Sequence, residues 1–208
     1  NKSFSTTQKL EPNTVLELEG NNVITIGGAV KPDSDEDLYG INGVDGLTIQ
    51  GNGSLTINIK PTDVVSGNNG YSLSRLKVCG INASNLTIKG NVTIVINIEG
   101  AVHDIEGIGA NTVSVEDSAN LDITVKNTKE HANATGIFAD TWASLTSEGT
   151  TDVEVSVNTT TAYKLGDGIL VNGLHNDDAN NGDLTIKNGT VNVSFENNRL
   201  GRFGFFGA

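Results

Sequence analysis

Three aspartates alternate in one short polar stretch, Asp33, Asp35 and Asp37 in "KPDSDEDLY". Ca²⁺ collects carboxylate oxygens, so this spacing could supply part of a Ca²⁺ shell, although the glycine and distal glutamate of an EF-hand loop are missing. Asp177, Asp178 and Asp183 form a second acidic group in "NGLHNDDANNGD". Proton abstraction from a sugar acid needs a basic side chain helped by a cation. Arg75, Lys77 and Lys164 are available, but none is paired with an acid in a motif. Glycoside hydrolysis needs two carboxylates facing each other across the scissile bond, and no spacing marks such a pair. His103, His131 and His175 lie far apart, without the spacing of a metal site.

The chain is better supplied for binding than for catalysis. Aromatic rings offer π faces on which the C–H faces of sugars can stack. Phe138 directly follows Ile137 and is expected to point out of its strand, while Trp142 stands where the next corner should begin. The expected ligand contact is therefore Phe138 with Trp142, joined by Tyr71 and Tyr163; a Trp142 plugged into a corner of the core would remove it. Threonines at 48, 56, 87, 93, 124 and 185 should also face outward. A flat threonine lattice could bind ice, but these rows are single and interrupted by Ser114, Asp122 and Asn192. Threonine is also simply a good strand former.

A repeat must position these residues. "YGINGVDGLTIQGNGSLTINIK" (39–60) is nearly rewritten as "CGINASNLTIKGNVTIVINIEG" (79–100). Gly-Ile then recurs at Gly107-Ile108, Gly136-Ile137 and Gly168-Ile169, with Gly204-Phe205 as a degenerate copy, at steps of 40, 27, 29, 32 and 36 residues. Two short segments follow each Gly-Ile, such as "GLTIQ" and "SLTINI", and alternate apolar with polar at the period of a strand with one buried face. No stretch carries the 3.6-residue period, so no helix is expected. "QGNG" (50–53) and "KNG" (187–189) could close hairpins, but each repeat holds three strands and restarts in the same order. Like strands stacking on like predict a solenoid, with Ile41, Ile81, Ile108, Ile137 and Ile169 in one aliphatic column.

The expected fold is all-β: a single right-handed parallel β-helix of about five to six three-strand coils, with its hand taken from the bias of parallel crossovers. Residues 1–38 are an atypical N-terminal coil or cap, 39–198 the repeat coils, and 199–208 a degenerate final coil or the cut end of a longer chain. Twenty-five glycines serve the corners, and only three prolines interrupt the ladders. A net charge of −12 would repel a phosphate backbone, so nucleic acid is not expected as a partner. No apolar run is long enough to insert in a membrane. A single cysteine, Cys79, leaves no internal disulfide.

The pattern of x-Gly-Ile, then Leu-Thr-Ile, then a Gly-bounded Thr/Asn strand resembles the right-handed β-helix repeats of bacterial extracellular surface proteins. Those are related in fold to pectate-lyase-like proteins, and many are carbohydrate-binding or adhesin-like. The resemblance spans about residues 38–198 and implies a cell-surface or secreted module that binds a glycan or surface protein without catalysis. A polysaccharide lyase or glycoside hydrolase of the same class is the alternative. The sequence motifs by which β-helical polygalacturonases resemble one another are absent except for Asp177-Asp178. A structural spacer without a ligand is the remaining reading.

Overall fold

Isoleucine and valine at every second position favour a pleated, half-buried backbone, and that is what the chain builds. The computed structural model describes residues 1–28, 37–61, 77–128, 132–157, 166–171, 183–196 and 205–206. Four strands come first: β1 (Lys2–Phe4), β2 (Gln8–Leu10), β3 (Thr14–Leu18) and β4 (Asn21–Gly28). Long and short strands then alternate: β5 (Leu38–Gly51), β6 (Ser54–Pro61), β7 (Lys77–Ile88), β8 (Thr93–Gly100), β9 (Asp104–Val115), β10 (Asn120–Asn127), β11 (Asn133–Leu145) and β12 (Thr150–Val157). β13 (Gly166–Val171), β14 (Asp183–Ile186), β15 (Thr190–Glu196) and β16 (Phe205–Phe206) complete the set, and the described residues contain no helix.

The strands form two sheets, and from β3 to β13 successive elements alternate between them. One sheet runs β1-β4-β6-β8-β10-β12-β15; the other runs β16-β13-β11-β9-β7-β5-β2, with β3 also on β5 and β14 also on β11. Pairing is parallel throughout, including β5 on β7, β7 on β9 and β9 on β11. Equivalent segments of successive repeats therefore lie side by side. Ile41 pairs with Ile81, Ile81 with Ile108, Ile108 with Ile137 and Ile137 with Ile169, all buried. The predicted column is real, and the backbone register continues from Ile169 to residue 205 on β16. "QGNG" and "KNG" close no hairpin: each carries the chain from one sheet to the other.

The glycine before each isoleucine is required by close packing between the sheets. A Cβ on Gly80 would lie 2.5 Å from the Gly107 carbonyl oxygen and 2.5 Å from Ile96 Cγ2 on the facing sheet, and Gly40 meets Gly80 and Ile57 in the same way. The facing row is β-branched in every repeat: Ile57, Ile96, Ile123, Val153 and Val193. Gly-Ile is thus half of an inter-sheet lock, with the bare backbone seated against a β-branched side chain.

The Gly-Ile and Leu-Thr-Ile segments, expected as separate strands, are two arms of one bent strand. Opposite the single residue Ser84, β5 inserts Val44 and Asp45; opposite Asn111, β11 inserts Asp140 and Thr141. An extra residue on one strand bends it. Ser84 Oγ donates to the Val44 carbonyl and Thr141 Oγ1 to the Asn111 carbonyl, which joins neighbouring bends. At the corners between sheets the backbone turns left-handed, at Gly51 and Gly90 early in the chain and at Asp117 and Asn188 later. Asp and Asn tolerate that region better than other non-glycine residues.

Candidate functional site

The outer side of the nine-stranded sheet carries chemically different rows on the two arms of the bent strands. On the first arm the variable residue of x-Gly-Ile forms the row Tyr39, Cys79, Glu106, Thr135 and Asp167. Lys77, Asp104 and Asn133 form the neighbouring row. Lys77 Nζ lies 2.8 Å from Glu106 Oε2, with the two side chains 28% and 15% exposed. Tyr39 donates its hydroxyl to Asp37 Oδ2 at 3.0 Å, and the Lys77 backbone N–H donates to Asp37 Oδ1 at 3.2 Å. Asn133 Nδ2 donates to Asp104 Oδ1, and Asp104 Oδ2 holds His103 Nδ1 at 2.6 Å. Cys79 is fully buried, with its thiol on the Ile81 carbonyl.

Burial decides the protonation of this network. It pushes the Glu106 carboxyl above the usual range, and the Lys77 ammonium draws it only partly back. Burial pulls Lys77 down, but the Glu106 carboxylate outweighs it and the ammonium titrates higher than an ordinary lysine. Burial and then Glu106 push the Cys79 thiol well up. Burial and then the bond to Asp37 do the same to the Tyr39 phenol. At neutral pH the amine is therefore charged, and the thiol and phenol are protonated. None of these three is a ready base or nucleophile at neutral pH.

On the second arm the outward rows are partly open: Asn85 and Trp142 are exposed, Thr48, Thr87, Ser144 and Thr185 are half-buried, and Ser114 is buried. Trp142 on β11 lies level with Thr112 on β9 and Asn85 on β7. Its side chain is 40% exposed, so it does not plug the core. Thr112 Oγ1 donates to Asn85 Oδ1 at 2.8 Å. Phe138 is half-buried on the same strand, in the row of Asn82 and Gly109 on the other side of the bend. β11 thus carries both expected aromatics, one on each arm and separated by Asp140 and Thr141. The second row of this arm is Thr48, Thr87, Ser114, Ser144 and Thr185. Thr56, Thr93 and Thr124 stand on the other sheet, where Thr56 faces Val95, so the threonines make no two-dimensional lattice.

No protein family, curated protein or solved structure matches this chain.

Of the other expected site residues, Tyr71, Tyr163, Asp33, Asp35, His131, His175, Arg75, Lys164, Asp177 and Asp178 lie outside the described residues. Asp37 is described, with its two oxygens on Tyr39 and Lys77. Among the described residues no group of three or more His, Cys, Asp or Glu is arranged to hold a metal. The Lys77–Glu106–Cys79 network was not expected as a unit. Its signal was present all the same, because the x of every x-Gly-Ile occupies one row.

Proposed function

We propose that this chain is a right-handed parallel β-helix of three-strand coils and acts as a non-catalytic module, extracellular or on a cell surface, that binds a glycan or another surface molecule. One observation carries the binding reading: an indole 40% exposed on a strand of a parallel sheet, beside a hydrogen-bonded hydroxyl and carboxamide. A ring held on a strand needs little ordering on binding, and its neighbours can bond sugar hydroxyls. The resemblance to the β-helix repeats of bacterial surface proteins points the same way. The lyase alternative needs an unprotonated base, and Lys77, the described cation considered for that role, is held charged by Glu106.

Trp142 is the chain's sole tryptophan, so its fluorescence reports on this face alone. Titration with a panel of oligosaccharides should change the emission saturably for at least one of them. Trp142→Ala should weaken that binding at least about tenfold, the order expected for an aromatic anchor, with an unchanged melting temperature. A panel that leaves the emission unmoved rejects the site.

A further inference from the structure

We infer that the ligand is an uncharged, extended polysaccharide running from strand to strand along the row Thr48, Thr87, Ser114, Ser144 and Thr185, with Trp142 at its flank; this rests on the reading of Trp142 as part of a glycan site. The row is set by direct register across β5, β7, β9, β11 and β14. Neighbouring strands hold its hydroxyls about 4.8 Å apart, close to the advance of one sugar unit in an extended β-linked chain.

The hydrogen bonding of this row differs from that of other polar rows. Asn82 donates to Asn42 and Asn97 to Asn58, so those carboxamides bond one another. Ser114 donates to Glu116. The hydroxyls of Thr48, Thr87, Ser144 and Thr185 have no hydrogen-bond partner among the described residues. These four half-buried hydroxyls are aligned on a ladder on either side of the buried Ser114, and a sugar hydroxyl can bond them at little cost in ordering. Charge chooses the ligand class. The chain carries −12, and the row edging this face sets Glu17 and Glu116 against Lys89 and Lys187, so no local excess of cations offsets the net charge. A uronate polymer would be repelled where a neutral one is not.

The test uses isothermal titration with neutral β-1,4-linked oligosaccharides of increasing length and with galacturonate oligomers of matched length. Affinity should rise with each added neutral unit until the row is spanned, and galacturonates should bind more weakly. The double variant Thr48→Val, Thr87→Val keeps the β-branched shape and strand preference. It removes two hydrogen bonds, which should weaken the longest ligand about tenfold to thirtyfold while a disaccharide at Trp142 is little affected. Affinity that levels off at a disaccharide and ignores the double variant would overturn the lie along the row while leaving Trp142 a glycan site. Preference for galacturonates would overturn the charge argument. No saccharide bound by the unaltered chain would overturn the glycan reading itself, and this inference with it.

Discussion

At Gly80 one hydrogen atom separates a packed pair of sheets from a collision. A methyl there would strike the Gly107 carbonyl and Ile96 Cγ2, and backbone on one side cannot swing away as a side-chain tip can. Gly80→Ala should cost about 1–3 kcal/mol by overpacking, read as a lowered urea midpoint with the slope unchanged. Glu106 acts through its charge instead. Its folded pKa is raised, so the folded chain holds this proton more tightly than the unfolded chain. The contribution of Glu106 to stability is therefore fully present below the ordinary carboxylate pKa of about 4.3 and is lost as pH rises through the folded value. Lys77, also raised, keeps its contribution below the ordinary lysine pKa of about 10.4 and loses it only above that. Stability of the native chain relative to Glu106→Gln should fall from about pH 4 upward, by at most about 1.4 kcal/mol per pH unit, and then level off. A difference that stays flat over that range would show that Glu106 titrates as it does in the unfolded chain.

Each long strand is specified twice, by its own alternation and by its copy next door. In β7, Val78, Ile81, Ala83, Leu86 and Ile88 are buried, while Asn82, Ser84, Asn85 and Thr87 face outward. Gly80 and Ile81 are both buried in succession, so strict period two fails at the inter-sheet lock. Ile108 stands mid-column with Ile81 on one side and Ile137 on the other. Ile108→Ala should cost about 2–5 kcal/mol, because flanking strands tied by backbone ladders collapse poorly into a cavity. The bend is an element-scale feature that alternation does not announce. Within "NGVDG" and "FADTW" one strand takes an extra residue and turns.

Over the whole molecule, stability is close to a sum of neighbour terms, since each strand pairs mainly with the equivalent strands before and after it. β7, β9 and β11 are flanked on both sides, whereas β1 is a three-residue exposed strand at the edge of its sheet. Amide hydrogen exchange should be slowest in β7, β9 and β11 and fastest in β1, with opening from the edge inward. Uniform protection across all the strands would mean that the stack opens only as a whole. The sequence by itself determined the all-β class, the parallel stacking of repeats and the isoleucine column, because each follows from a local period and from like packing on like. It also placed Phe138 on the outside of its strand. Only the tertiary structure decided that Gly-Ile and Leu-Thr-Ile share one bent strand, that Cys79 is buried beside the Lys77–Glu106 pair, and that Trp142 stays exposed. Alternation tells which side of a strand a residue takes, but what covers that side is decided by neighbours distant in the chain.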